Sequence, residues 1–219
     1  MRPHLTDLTN NGGSAEESED GSTTTPAAYH QAMMCTRQAG KAIIRVVGRC
    51  NDAKENENLD LSDCQLMQVP DAIFLLMRNT NLKTCDLSSN VITKIPPQLG
   101  HKFSCIRKLN LSHNRMSKLP EELRNLGQLS ILNISHNAFL NVPRIVYELP
   151  KLEQLNAEKN YIADVDTDRL RRRVSIKLVN LKENPLSKEA EGQLATISNI
   201  TIHFSPRVME EWEQTGDGY

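Results

Sequence analysis

The 219-residue chain has few aromatic residues, no long apolar run and no paired cysteines. Aromatic side chains make up 4% of the sequence, so the core must be aliphatic. No stretch approaches the roughly 20 apolar residues of a membrane-spanning helix. The first ten residues also lack the continuous apolar run of a secretory signal. We therefore expect no membrane association and no entry into the secretory pathway.

Neither sign of charge is in excess. The formal net charge is −1 at pH 7, which gives no general attraction for nucleic acid or anionic lipid. The cysteines are odd in number and occur singly, at Cys35, Cys50, Cys64, Cys85 and Cys105. Isolated cysteines predict reduced thiols and a cytoplasmic location, with access to the nucleus left open.

The chain does contain an internal repeat. Segments that begin at Leu82, Ile106, Leu129 and Leu152 share the pattern L-x-x-L-x-L-x-x-N-x-L-x-x-L-P with few departures, and a degenerate copy flanks them on each side. The marker positions are Cys64, Asn90, Asn114, Asn137, Asn160 and Asn184, which are 26, 24, 23, 23 and 24 residues apart. Both the pattern and the period are typical of leucine-rich repeats.

These segments resemble the intracellular leucine-rich-repeat proteins of the Ras-suppressor type, whose 23-residue repeats also carry Leu-Pro after the asparagine turn. The resemblance covers Leu59–Leu186. The chain departs from the family pattern at Cys64, Cys85, Ala157 and Asp166, which indicates tolerated repeats rather than a different fold. The resemblance implies protein–protein interaction and no cofactor.

The predicted fold is α/β, a leucine-rich-repeat solenoid in a horseshoe arc with about six repeats and a parallel concave sheet. We expect a disordered acidic arm over 1–33 and an N-terminal capping helix over 36–54, with Ala39, Ile43, Val46, Val47 and Cys50 on its apolar face. The repeats occupy 56–186. A C-terminal cap with a seventh strand follows over 187–212, and a disordered tail over 213–219.

The marker residues Cys64, Asn90, Asn114, Asn137, Asn160 and Asn184 are predicted to form a structural ladder, since a buried amide must be hydrogen-bonded. Strand side chains alternate, so every second residue faces outward. We call the outward face of the sheet the concave face. Its predicted protein-binding residues are Asp60, Ser62, Asp86, Ser88, Lys108, Asn110, Ser112, Ile131, Asn133, Ser135, Gln154, Asn156, Glu158, Asn180 and Lys182. Ile131 is expected to be its one exposed apolar residue.

This face is small. Seven strands span about 30 Å across the sheet and four residues about 13 Å along it. The product, on the order of 400 Å², is half of a standard interface area per partner, about 800 Å². We therefore expect a weak or transient contact unless the loops beside Arg115 and Tyr161, or the ends of the chain, contribute.

Three other groups of residues suggest different chemistry. His113 and His136 stand at equivalent repeat positions, but no third ligand completes a metal site. Asp164, Asp166 and Asp168 resemble the start of a calcium loop that lacks its glycine and its final glutamate, so a helix cap is the better interpretation. A basic run, Arg169 and Arg171 to Arg173, is predicted to be a solvated face rather than a binding patch.

No nucleophile motif, phosphate loop or paired-cysteine signature occurs, so we expect no enzyme, no catalytic residue, no cofactor and no metal. The predicted function is a monomeric adaptor that binds a protein partner, and neither nucleic acid nor membrane, mainly through the concave face. One alternative is a regulatory subunit of a phosphatase or small-GTPase signalling complex. Another is a structural partner that binds through the C-terminal tail, with Trp212 as either cap packing or an anchor.

Overall fold

Seven short strands form one parallel sheet in the computed structural model, which describes residues 43–206. They follow each other in chain order: β1 Asn58–Asp60, β2 Thr84–Asp86, β3 Lys108–Asn110, β4 Ile131–Asn133, β5 Gln154–Asn156, β6 Leu178–Asn180 and β7 Thr201–His203. Each strand pairs in parallel with the next. The predicted fold class, a leucine-rich-repeat solenoid with a parallel sheet, is confirmed.

The repeat produces this sheet because side chains alternate along each strand. The central residue of a strand faces inward, and so does the residue just past its end, as Leu109 and Leu111 do in the third repeat. One repeat brings the chain back to the same register, so Leu109 lies beside Leu132 of the next strand. The inward residues of neighbouring repeats thereby form one continuous aliphatic core.

The return segments on the other side of the core are short helices or helical turns. They are α2 Ala72–Leu76, α3 Gln98–Lys102, the 3₁₀ turns Glu121–Asn125 and Arg144–Tyr147, α4 Thr167–Arg171 and α5 Lys188–Ala195. Pro120 and Pro143 immediately precede the two 3₁₀ turns. Proline suits this place because its fixed φ starts a helical turn and its missing N–H would be unpaired there.

Gly100 lies where α3 packs against the next return segment. A Cβ atom added at Gly100 would lie 2.1 Å from the backbone oxygen of Glu122. Because the buried Gly100 has no side chain, the 3₁₀ turn Glu121–Asn125 can approach the backbone of α3 closely. The spacing of these two return segments therefore depends on a missing side chain.

A helix, α1, precedes the first strand, and residues 43–56 of it are described. Its buried stripe consists of Val46, Cys50 and Ala53, which belong to the continuous core. The expected apolar face is wrong at two positions, because Ile43 is 64% exposed and Val47 is 38% exposed. The helix is rotated so that Ala53 completes the stripe at the i, i+4, i+7 spacing. Ala39 lies outside the described residues.

The C-terminal end of the core is covered by α5 and β7. Ser187 caps α5 by accepting a hydrogen bond from the Ala190 N–H at 3.1 Å. Ala190, Leu194 and Ile197 are buried. The predicted acidic arm over 1–33, the end of the cap with Trp212, and the tail over 213–219 lie outside the described residues.

Candidate interaction surface on the concave face

Register places the predicted binding residues in three rows across the concave face. The first positions of the strands form one row: Asn58, Thr84, Lys108, Ile131, Gln154, Leu178 and Thr201. The third positions form the next: Asp60, Asp86, Asn110, Asn133, Asn156, Asn180 and His203. Two residues further on, at the ends of the strands, lie Ser62, Ser88, Ser112, Ser135, Glu158 and Lys182. The structure thus brings all fifteen predicted residues to one side of the sheet.

The second row has a structural task that the repeat pattern did not predict. In every repeat, its Asp or Asn Oδ1 atom accepts a hydrogen bond from the backbone N–H two residues later. The six donors are the N–H groups of Ser62, Ser88, Ser112, Ser135, Glu158 and Lys182, at 2.8 to 3.2 Å. Short carboxylate and amide side chains characteristically stabilise turns in this way. These residues therefore fix the strand ends, whether or not they also contact a partner.

Two predicted contact residues are not exposed. Ser112 is 5% exposed and Ser135 is 4% exposed, so the expectation that their side chains face solvent is wrong. Both belong to the third and fourth repeats, whereas Ser88 of the second repeat is not buried. Ser62, in the first repeat, keeps partial exposure.

The first row contains two apolar residues rather than one. Ile131 is half-buried, and so is Leu178, which the sequence reading omitted. Leu178 precedes the inward Val179, so alternation along the strand would have identified it. Between these two lies the exposed Gln154.

Polar groups in the middle of the concave face differ from those at its ends in hydrogen bonding. On one side of β4 and β5 the Asn110 amide donates to Asp86, and on the other side the Asn180 amide donates to Glu158, both at 2.9 Å. Among residues 43–206, no partner is found for the Lys108 ammonium or for the amide nitrogens of Asn133 and Asn156. The free groups of these three residues are thus donors.

Asp60 of β1 accepts hydrogen bonds from Ser62 and lies beside a positive charge of α1. Partial burial would raise the pKa of its carboxyl group, but hydrogen bonds from the Ser62 hydroxyl and N–H and the Arg49 charge outweigh that effect and lower the pKa. Arg49 of α1 lies 3.4 Å from Asp60 and also donates to the Ser62 carbonyl and the Cys64 sulfur. Arg49 therefore ties α1 to the first repeat.

Beneath the face, the asparagines of the ladder connect consecutive repeats. The Asn137 amide nitrogen donates to the carbonyls of Leu111, Ile134 and Ser135, and its Oδ1 accepts from the Met116 N–H at 3.0 Å. Asn90, Asn114, Asn160 and Asn184 bond in the same manner. Cys64, at the first position, donates its N–H to Asn90 and lies near Arg49 instead.

His113 and His136 stack at the edge of the concave face. Their ring centroids are 3.9 Å apart with 16° between the planes. Each residue has a positive φ of 53°, as does every residue that precedes a ladder asparagine in the other repeats, within a few degrees. Desolvation, followed by the charges of His136 and Lys159, lowers the pKa of His113. In residues 43–206, no cluster of three or more His, Cys, Asp or Glu side chains could hold a metal ion.

The acidic and basic runs near α4 are used within the fold. Asp166 caps α4 by accepting from the Arg169 N–H at 2.9 Å, which confirms the capping interpretation for Asp166, whereas Asp164 accepts from the Ser187 hydroxyl. Arg169 also forms an ion pair with Asp166 at 3.1 Å. Arg171 donates to Thr196, and Arg173 donates to the Leu149 carbonyl. Arg169, Arg171 and Arg172 are exposed, as predicted for the basic run, whereas Arg173 is half-buried.

Comparisons with known proteins identify the class. A family model described as "Leucine rich repeat" matches residues 57–116. The chain belongs to the leucine-rich-repeat family. Leucine-rich repeat-containing protein 20 of Mus musculus is 37% identical over 174 residues, which cover 78% of this chain and 95% of the mouse protein.

Two solved structures share the fold. A leucine-rich-repeat protein of Leptospira interrogans superposes with a TM-score of 0.56 at 24% identity, covering 64% of this chain and 35% of the other. The complex of TLR13 with ssRNA13 superposes with a TM-score of 0.58 at 20% identity, covering 71% of this chain and 23% of TLR13. Within residues 43–206, no helix has the length and apolarity needed to cross a membrane.

Proposed function

We propose that this protein is a non-enzymatic adaptor of the cytoplasm that binds a protein partner through the concave face. Proteins of the leucine-rich-repeat family generally act as interaction modules, and this chain belongs to that family. The observation that carries the proposal is a set of three first-row side chains on the central strands for which no hydrogen bond or ion pair is found among residues 43–206. Lys108, Ile131 and Gln154 are adjacent on three central strands.

Hydrogen bonding supports this row as the contact region. The second-row side chains complete turns in all six repeats, and the central serines of the third row are buried. The first-row residues have neither task, so their exposure is not explained by the fold. A row of this size supports a modest interface rather than a large one. We therefore expect a protein partner held at modest affinity by a monomer of this chain.

The test is affinity purification from cells with a variant altered only in the first row. Lys108→Glu, Ile131→Arg and Gln154→Arg are combined, because none of these side chains holds a turn. The control combines Leu75→Glu and Arg124→Glu, two exposed residues on the return segments. Circular dichroism and urea unfolding verify that both variants fold.

We expect the first-row variant to lose the proteins that co-purify with the unmodified chain, and the control to retain them. If the first-row variant retains every partner, the concave face is not the binding site. If only the control loses them, the binding surface lies on the return segments.

A further inference from the structure

We infer that the centre of the concave face binds a partner segment that carries an aspartate or glutamate side chain beside an aliphatic residue. The inference rests on the proposed function and specifies the chemistry of the partner. Its site, which we call the central hollow, is lined by Thr84, Asp86, Lys108, Asn110, Ile131 and Asn133.

The first step is the direction of the hydrogen bonds at the central hollow. An asparagine amide can be placed either way around in a structure, but here a backbone N–H determines it. Since the N–H of Ser135 points at the Asn133 side chain, the atom that faces it must be the oxygen. The amide nitrogen of Asn133 is therefore left to face away from that bond, and the same holds for Asn156.

The second step is the state of the acceptors. Both carboxylate oxygens of Asp86 are occupied, one by the Ser88 N–H and hydroxyl and the other by the Asn110 amide. Asp86 therefore does not neutralise Lys108 through an ion pair within 4 Å in the described part of the chain. The central hollow offers one ammonium group and a free amide donor, with no free carboxylate to match them.

The third step is the chemistry that fits such a set of donors. A partner that buried this surface without supplying acceptors would leave the ammonium and amide groups unpaired, which is unfavourable for each group and most unfavourable for the charged one. A carboxylate matches an ammonium through a charge-assisted hydrogen bond. Ile131, half-buried beside Lys108, adds an apolar contact for an aliphatic neighbour.

Phosphates of a nucleic acid also supply acceptors, but the surrounding residues favour a peptide. Asp60 and Asp86 lie on the same face as Lys108 and would repel a chain of phosphates. None of the seven first-row residues is aromatic, so unpaired bases find no stacking platform there. A single carboxylate can contact Lys108 from the side of Ile131 on β4, away from Asp86 on β2.

The experiment selects binders from a random 12-residue peptide library displayed on phage, using the full-length chain as bait. The same library is selected in parallel against Lys108→Glu. We expect peptides selected by the unmodified chain to be enriched in Asp and Glu. Because Lys108→Glu reverses the charge at the central hollow, we expect its peptides to be enriched in Lys and Arg instead.

The selected acidic peptides are then synthesised and their affinities measured by fluorescence anisotropy. Lys108→Glu should weaken binding by roughly tenfold or more, since an ion pair is replaced by repulsion. The matched control is Lys182→Glu, which reverses an exposed lysine at the far end of the same face and should change the affinity less than about twofold.

Three outcomes overturn the inference. Peptides without acidic enrichment, or no recovered peptide, show that the central hollow does not select carboxylates. If the recovered peptides carry no acidic residue but lose binding to Ile131→Arg, the proposed binding through the concave face stands. In that case only the inference of an acidic partner is wrong. Binding of a single-stranded RNA oligonucleotide that depends on Lys108 and exceeds that of every peptide would replace the protein partner with nucleic acid.

Discussion

Asparagine has two distinct tasks in this molecule, and its position in the repeat decides which one it performs. Four residues after the first conserved leucine of a repeat it lies outward, as Asn133 or Asn156 does, and a single bond closes a turn. Four residues further on, Asn137 is 8% exposed and bonds groups of two repeats. The same side chain therefore contributes little stability in one place and much in the other.

Substitution of the two asparagines should separate these tasks. We expect Asn137→Ala to lower the free energy of unfolding by about 2–4 kcal/mol, because buried backbone groups of neighbouring repeats lose their partners. Asn133→Ala, which removes one bond at the surface, should lower it by about 1 kcal/mol. Urea denaturation followed by circular dichroism measures both. Equal losses in the free energy of unfolding would show that the ladder asparagines contribute no more stability than the second-row asparagines.

The stacked histidines give a prediction about pH. Desolvation, then the charges of His136 and Lys159, lowers the pKa of His113 below its ordinary 6.5. The folded state thus favours the neutral His113 ring. The contribution of this residue to the free energy of unfolding is fully present above its pKa in the unfolded state and is lost as the pH falls through its pKa in the folded state. We expect an NMR titration midpoint for His113 below 6.5 that moves upward in His136→Asn. A midpoint at or above 6.5 would contradict the lowered pKa of His113.

At the scale of elements, the return segments are spaced by backbone contact as well as by side-chain packing. Gly100 allows the backbone of α3 to lie against Glu122. Gly127, between the 3₁₀ turn Glu121–Asn125 and β4, has no atom within 4 Å of the position of an added Cβ. The two glycines thus form a matched pair for a test of this close approach.

Gly100→Ala should lower the free energy of unfolding by about 1–3 kcal/mol or more, because the added methyl group overlaps backbone that cannot move away without disturbing the core. Gly127→Ala should leave it within about 0.5 kcal/mol of the unmodified chain. Thermal and urea unfolding of both variants provide the comparison. A neutral Gly100→Ala would mean that the two return segments can separate at no cost.

The repeat period was sufficient to predict the sheet, because one turn of chain per 23 to 26 residues brings equivalent residues into register. It predicted inward leucines such as Leu109 for the same reason. The strand Thr201–His203 was expected from the segment ITIHF within the C-terminal cap instead. It did not predict the rotation of α1, because the helix has no repeat partner and its orientation depends on packing. The turn bonds of Asp86 and its equivalents were also missed, since a sequence pattern gives outward position but not hydrogen-bond direction.

At the scale of the whole molecule, the structure reduces the number of concave-face residues that we expect to contact a partner. Fifteen residues face one side of the sheet, but six complete turns and two are buried. Of the remaining residues, Lys108, Ile131 and Gln154 of the first row are adjacent on the central strands, whereas the exposed Lys182 lies apart at the far end. Recognition should therefore concentrate on a few side chains, as is common at protein interfaces.

Site-specific photo-crosslinking in cells tests the central claim most directly. The photoreactive residue p-benzoylphenylalanine replaces Ile131 in one sample and Leu75, an exposed residue of α2, in another. We predict a discrete crosslinked protein from position 131 that disappears when Lys108→Glu is added, and none of the same mass from position 75. Crosslinking of the same protein from position 75 alone would contradict binding through the concave face.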